Sequence, residues 1–371
     1  MKVFFYVQHL LGIGHLRRAA TLAQALEQAG FDVTLASGGR PVEGYRVLQL
    51  PPASSDPEFK QLLDENGNPV DDAWKRRRRE ALLAAYAAAA PDVLLIELFP
   101  FGRRQMRFEL LPLLGMATES AKLPLIVCSV RDLIQSKPER EAEIVECFEQ
   151  YYDRVLVHGD PRVAGFERSF GPAARLAGKL HYTGYVVQDL PPEDTGTSRD
   201  AGAGEVLVSA GGGATGQQLL ESAIAARPLT SLRERTWRVL AGINAEDLAA
   251  LQARAGAGVI VERFRNDFTR RLRNCVLSVS QAGYNTVLET LQAGARAVVV
   301  PFAGRAESEQ TLRATLLAER GLLEVVEEAA LTPAKLAAAI DRAAARPRPA
   351  PGAIDLGGAR RSAELLRQWL A

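Results

Sequence analysis

The stretch HLLGIGHLRRAATLAQAL, residues 9–26, follows the apolar run Val3 to Val7 and sets His15 where a helix-period segment begins. The positive end of a helix dipole disfavours imidazolium, so a histidine there stays neutral and can take a proton from a substrate hydroxyl. His15 is a candidate general base, with packing at the turn as the competing role; Gly12 and Gly14 make the tight turn that aims it. Glu97 closes the strand PDVLLIE. A carboxylate at a strand's carboxyl end can orient an imidazole, and the alternatives are a surface acid or a helix cap. Gly211, Gly212, Gly213, Ala214, Thr215 and Gly216 follow EVLVSA and open a helix. Their backbone N–H groups suit a phosphate or pyrophosphate, against the alternative of a flexible connection.

A third chemical stretch, residues 278–314, reads strand, glycine turn, helix, strand, proline-ended loop and helix. Thr286 to Glu289 has the spacing of a capping box, which offers Glu289 a purely structural role. Capping does not explain Glu309 and Gln310 at the start of the next helix. Arg17 and Arg18 follow His15, and Arg103, Arg104 and Arg107 follow ELFPFG. These cations suit a phosphorylated or carboxylated acceptor, or ion pairs with Glu97 or Glu109. The dinucleotide fingerprint G-x-G-x-x-G is broken by Arg17, and Ser37 stands where a ribose-binding acid would end the second strand, so an NAD or FAD site is not expected. No D-x-D pair or histidine cluster has ligand spacing, so the expectation is no metal and no cofactor.

The 371-residue chain is long enough for two cores. A net charge of +1 gives no global pull towards nucleic acid, and none is expected as a partner. Cys128, Cys147 and Cys275 have no paired spacing, which fits a reducing cytoplasm. Glycines and His15 interrupt the first apolar run before a signal peptide or membrane span is completed. The run WKRRRRE, residues 74–80, is read as a solvated helix face, with attraction to anionic lipid as the alternative.

Strand and helix patterns alternate through the first half, from a strand at 2–8 and a helix at 15–29 to a strand at 154–158. Proline, acid, glycine and serine replace periodicity at 188–204, the expected linker. A second alternating set runs from a strand at 205–210 to a helix at 333–345, and an amphipathic helix at 358–370 ends the sequence. The expected fold is α/β: two Rossmann-like, doubly wound parallel-sheet domains with an interdomain cleft. Residues 1–187 form an acceptor-side domain, 188–357 a donor-binding domain, and helix 358–371 packs back on the first.

GIGHLRRAATLAQAL, SAGGGATG and SQAGYNTVLETLQAGARAVVVPF with the trailing EQTLRA resemble the glycosyltransferases of the family-28, MurG-like type, which have the GT-B architecture. GYNTVLE together with ELFPFGRRQ is similar to a bacterial branch of predicted glycosyltransferases. The resemblance implies that Glu289 takes the ribose hydroxyls of a UDP-sugar and that Gly283, Asn285 and Thr286 lie by its diphosphate. It implies Glu309 and Gln310 at the sugar hydroxyls, Phe264 and Arg265 by the base, and His15 on the catalytic side. The family's arginine after TGNPV has no counterpart in TGYVVQ, where Gln188 stands, which leaves the nucleotide open.

The expected activity is metal-independent, inverting transfer of an N-acetylhexosamine or hexose from a UDP- or other nucleotide-sugar to an acceptor hydroxyl. His15 and Glu97 are the catalytic pair; Gly211, Gly212, Gly213 and Thr215 join the donor residues, and Gly12, Gly14, Arg17, Arg18, Arg103 and Arg104 lie on the acceptor side. Two alternatives stay open: a nucleotide-sugar epimerase or hydrolase, and a non-catalytic nucleotide-sugar-binding protein. The expected acceptor is anionic or lipid-linked, and the expected location is the cytoplasm with peripheral contact at the inner membrane.

Overall fold

The structure is a computed structural model that describes residues 1–56, 60–188, 200–210, 216–242, 248–302 and 309–371. The chain divides into two compact units, Met1–Gln188 with Gly357–Ala371, and Asp189–Leu356. Among the described residues, no helix is long and apolar enough to cross a membrane.

The first unit is built on strands β1 (Lys2–Val7), β2 (Asp32–Ser37), β3 (Leu48–Gln49), the hairpin β4 (Ser54–Ser55) and β5 (Leu62–Leu63), then β6 (Val93–Glu97), β7 (Leu125–Arg131), β8 (Arg154–His158) and β9 (Leu180–Tyr182). The seven-stranded sheet has the order β3-β2-β1-β6-β7-β8-β9, and its pairings are parallel. Alternate residues serve opposite faces, as the two-residue period of a strand demands. Phe4, Tyr6, Leu94, Ile96 and Cys128 face one core. Val3, Phe5, Val7, Val93, Leu95 and Val127 face the other.

Helix α1 (Gly14–Gln28) buries Leu16, Ala19, Leu22, Ala23 and Leu26, an apolar stripe at helical spacing. Helix α2 (Asp72–Ala89) is capped by the Asp71 carboxylate, which accepts from Trp74 N–H, and buries Trp74, Arg78, Leu82 and Tyr86 every fourth residue. Helices α3 (Arg107–Thr118) and α4 (Glu141–Tyr151) supply Leu110, Leu113, Leu114, Val145 and Phe148 to the same core as α2.

The second unit has strands β10 (Val206–Ser209), β11 (Trp237–Leu240), β12 (Val259–Glu262), β13 (Leu277–Gln281), β14 (Ala297–Val300) and β15 (Glu324–Val325). Their order β12-β11-β10-β13-β14-β15 is the doubly wound 3-2-1-4-5-6 arrangement. Its helices are α5 (Gln217–Ala226), α6 (Leu248–Arg254), α7 (Phe268–Asn274), α8 (Tyr284–Gln292), α9 (Glu309–Glu319) and α10 (Pro333–Ala345). The chain then returns to the first unit, where α11 (Gly358–Leu370) buries Ala363, Leu365 and Leu366 in the core that α1 also lines. Gly358 is needed there, because a Cβ would collide with the backbone of Gly184 and Tyr185.

Sequence and structure differ in three ways. The short strands β9 and β15 and the β4–β5 hairpin were not expected, because two or three residues carry no readable period. The linker expected at 188–204 falls mostly on 189–199, outside the described residues. The arginine run on α2 is not wholly a solvated face: Arg78 is fully buried, and its guanidinium donates to both Glu109 oxygens at 2.7 and 2.9 Å, to Gln8 Oε1 at 2.7 Å and to Gly38 O at 2.8 Å. Tyr6 OH completes the cluster on Glu109 Oε1 at 2.6 Å.

Candidate functional site

In an open parallel sheet, ligands bind beyond the carboxyl ends of the strands where the strand order reverses. In the first unit that point lies between β1 and β6, which pair through Tyr6 and Ile96. The residues that follow bring Glu97, at the end of β6, to His15, the second residue of α1. The His15 Nδ1–H donates to Glu97 Oε1 at 2.8 Å. Arg18, one turn along α1, donates to the same oxygen. Glu97 is fully buried and Arg18 is 3% exposed, whereas the His15 side chain is 18% exposed.

This arrangement sets the protonation states. Burial pushes the Glu97 carboxyl up, but His15, Arg18 and Arg103 outweigh it and hold the group at about 2. Burial lowers His15 to about 3; Glu97 opposes, while Arg103 and Arg18 act with burial. At neutral pH the pair is therefore a carboxylate and a neutral imidazole. Glu97 fixes the tautomer, with hydrogen on Nδ1 and a lone pair on Nε2. Among the described residues, Nε2 has no hydrogen-bond partner. A surface or capping role for Glu97 does not fit its burial, and among the described residues its second oxygen, Oε2, is buried without a hydrogen bond.

The glycines of the first loop divide differently from expectation. Neither Gly12 nor Gly14 takes a positive φ. Nothing lies within 4 Å of a Cβ built on Gly12, so the fold itself does not require glycine there. The glycines that the fold does require are Gly38 and Gly39, whose absent Cβ atoms make room for Arg78 and for the His9 ring.

Of the arginines expected on the acceptor side, Arg18 is committed to Glu97 and Arg104 is exposed. Arg103 has left-handed backbone, φ 58°, and its Nε donates to Gln8 O at 2.8 Å. Arg17 lies one residue nearer His15 on α1, half-buried.

Further along the same edge, His158 at the end of β8 is fully buried between hydroxyls. Thr183 Oγ1 donates to Gly184 O at 2.8 Å and so accepts from His158 Nδ1–H at 2.9 Å, leaving Nε2 to accept from Ser129 at 2.8 Å. Burial, helped by Arg18, lowers His158 to about 3. Sequence reading passed over this histidine because nothing local marks it; Ser129 and Thr183 reach it only through the strand order.

Among the described residues, those expected to bind the donor in the second unit follow the carboxyl ends of three strands, β12, β13 and β14. Gly283 is the N-cap of α8, directly after β13, and its Cβ position is open. Asn285 and Thr286 lie in the first turn. The helix starts before Thr286, so the capping box that the spacing of Thr286 and Glu289 allowed is not formed: the N-cap is Gly283, which makes no side-chain cap, and Glu289 is a buried residue inside the helix. Glu309 is the buried first residue of α9. Gln310 accepts from Phe302 N–H at 3.2 Å, tying α9 to the segment after β14. Sequence reading missed Arg313, buried over the Tyr284 ring at 5.1 Å; its signal was the four-residue spacing from Glu309.

Phe264 and Arg265 follow β12, on the other side of the reversal between β10 and β13. Phe264 is 58% exposed. Arg265 grips Asp267 at 2.6 and 2.9 Å and Glu262 at 3.1 Å. This is one link in a closed ring of alternating charge, Glu262, Arg238, Glu205, Arg271, Asp267 and Arg265. Gly211, Gly212, Gly213 and Thr215 lie outside the described residues. Gly216, which follows them, packs against Ala210 so closely that a Cβ would clash. Among the described residues, no group of three His, Cys, Asp or Glu side chains could hold a metal ion.

Residues 207–354 match the glycosyltransferase family 28 C-terminal domain. The chain is similar to the UDP-N-acetylglucosamine--N-acetylmuramyl-(pentapeptide) pyrophosphoryl-undecaprenol N-acetylglucosamine transferase of Agrobacterium fabrum, 25% identical over 53% of this chain and 48% of that one. The Sphingopyxis alaskensis enzyme of that name is 31% identical over 46% of this chain and 45% of its own. The chain thus spans about half the length of the curated relatives it matches.

Among solved structures, the spinosyn rhamnosyltransferase SpnG superimposes with a TM-score of 0.66 at 18% identity, covering 100% of both chains. Acinetobacter baumannii MurG superimposes with a TM-score of 0.60 at 15% identity, covering 99% of each. SsfS6 from Streptomyces sp. SF2575, complexed with thymidine diphosphate, gives 0.58 at 18% identity over 99% of this chain and 96% of its own. The second unit therefore matches the glycosyltransferase family 28 C-terminal domain, in a chain whose two α/β units have the fold of the GT-B glycosyltransferases.

Proposed function

We propose that this chain transfers a sugar from a nucleotide-sugar to an acceptor hydroxyl, with inversion at the anomeric carbon. One observation carries the reading: a neutral His15 held by the buried carboxylate of Glu97 through a 2.8 Å hydrogen bond, where the strand order of the first unit reverses. His15 Nε2 takes the proton of the acceptor hydroxyl. The acceptor oxygen bonds to the anomeric carbon as the bond from that carbon to the phosphate oxygen breaks, and the electron pair leaves with the nucleoside diphosphate. Glu97 stabilises the imidazolium formed in this step.

The donor belongs to the second unit. Relatives named for UDP-N-acetylglucosamine and a neighbour complexed with thymidine diphosphate support a nucleoside diphosphate leaving group carrying an N-acetylhexosamine or hexose. Gly283, Asn285 and Thr286, with Gly211, Gly212, Gly213 and Thr215, receive its diphosphate on backbone N–H groups, without a metal. Glu289 takes the ribose, Glu309 and Gln310 the sugar hydroxyls, and the segment of Phe264 and Arg265 the base. The acceptor is anionic or lipid-linked, in keeping with relatives named for a pyrophosphoryl-undecaprenol substrate, and is met in the cytoplasm at the membrane surface.

The test is a panel of UDP- and thymidine diphosphate-sugars incubated with and without hydroxyl acceptors, in excess chelator. Nucleotide release that depends on acceptor and survives chelation supports the proposal. Free sugar or an epimer formed without acceptor would replace transfer by hydrolysis or epimerisation. Thermal stabilisation by nucleotides with no turnover would leave a binding protein.

A further inference from the structure

Arg17, Arg18, Arg103, Arg104 and Arg107 all follow the strands that meet at the reversal point of the first unit, and their surroundings separate them. Arg18 is occupied by Glu97, Arg107 pairs with Glu143, and Arg104 stands in solvent. Arg103 is anchored differently. Its Nε donates to the carbonyl of Gln8, one residue past the end of β1, which fixes the plane of the guanidinium. Its Nη1 and Nη2 make no hydrogen bond or ion pair with any described residue.

The anchor is itself rigid. Gln8 is buried; its Oε1 accepts from Arg78 at 2.7 Å, and its Nε2 donates to His9 O at 2.8 Å and Ala53 O at 3.2 Å. Arg78 is in turn held by Glu109. The Arg103 backbone lies in the left-handed region at φ 58°, which a non-glycine residue rarely adopts and which persists where the surrounding structure over-determines it. Glu97, whose charge acts on Arg103, already serves His15 and Arg18 through hydrogen bonds. A planar fork whose Nη1 and Nη2 have no hydrogen-bond or ion-pair partner among the described residues matches a trigonal or tetrahedral oxyanion held through two oxygens.

We infer that Arg103 binds an oxyanion of the acceptor, a phosphate or carboxylate, beside the hydroxyl that His15 deprotonates. The word acceptor rests on the transfer reading above; the oxyanion site does not.

The experiment titrates inorganic phosphate, and separately acetate, into the full chain while following the Arg103 side-chain 15Nε resonance, identified by its absence in Arg103→Gln. The expected result is a saturable shift with at least one anion. By calorimetric titration of the same anion, affinity should fall at least tenfold in Arg103→Lys, whose melting temperature shows that it is folded, and His15→Ala should titrate like the parent. A response to phosphate alone, to acetate alone or to both supports the site and says which anion it takes. An Arg103 resonance unmoved by either anion, or an Arg103→Lys affinity equal to the parent's, would overturn it. If Arg103 binds phosphate but no sugar transfer is found, the transfer reading fails and the oxyanion site stands. If transfer is found and Arg103→Gln leaves the KM of an anionic acceptor unchanged, the oxyanion site fails alone.

Discussion

Acidification from pH 7 to pH 5 should unfold the first unit before the second. All four histidines, His9, His15, His158 and His181, lie in the first unit, and burial lowers the pKa of each. His158 is the clearest case, at about 3 in the folded protein with both ring nitrogens committed to hydroxyls. An unfolded histidine titrates near ~6.5, so between these values the unfolded chain binds a proton that the folded one refuses. Stability is therefore full above the unfolded pKa and falls as pH drops through 6.5 towards 3. The slope is ~1.4 kcal/mol per pH unit per histidine, or ~2 kcal/mol each by pH 5. His15 and His158 together lose ~4 kcal/mol, a large part of the ~5–15 kcal/mol that a domain has. Glu97 adds to the loss only below its unfolded range near ~4.3, because its folded carboxyl is held at about 2. Urea unfolding at pH 7, 6 and 5, read by hydrogen exchange with mass spectrometry, separates the two units. In His158→Gln the slope for the first unit should be shallower by ~1.4 kcal/mol per pH unit. A first-unit midpoint that does not move between pH 7 and pH 5, or equal slopes in parent and variant, would refute the reasoning.

Glu109→Ala leaves the buried Arg78 without its carboxylate and should cost ~3–5 kcal/mol in urea unfolding, whereas Arg76→Ala, on the exposed side of the same run, should change stability by less than ~0.5 kcal/mol. Gly283→Ala enters open space and should cost at most ~1 kcal/mol as an N-cap change, yet should weaken the thermal shift given by UDP if the diphosphate approaches that turn. Glu97→Gln should lower kcat for transfer by ~10²–10⁴-fold with little change in UDP binding, measured by steady-state kinetics and calorimetry.

What could be read in the sequence was what is local or periodic. The helices at 72–89, 333–345 and 358–370 coincide with their amphipathic patterns, and α1 lies within a residue of its expected start and end. His15 and Glu97 were legible because each sits where a strand or helix boundary is marked, by glycines in one case and by the end of an apolar run in the other. Their hydrogen bond joins residues 82 apart and follows from the adjacency of β1 and β6, which no local signal carries. Arg78 shows the opposite case. Within a run of four arginines nothing distinguishes it except the four-residue spacing from Trp74 and Leu82, and its partner Glu109 comes from another helix. The capping-box spacing of Thr286 and Glu289, a possible structural role in the sequence, falls inside a helix that already begins at Tyr284.

The central claim is a neutral His15 with its lone pair on Nε2, and 15N NMR of the imidazole at pH 7 measures that state directly. The account predicts a protonated Nδ1 and an unprotonated Nε2, unchanged down to pH 5 and lost in Glu97→Gln. An imidazolium at pH 7, or hydrogen on Nε2, would contradict it.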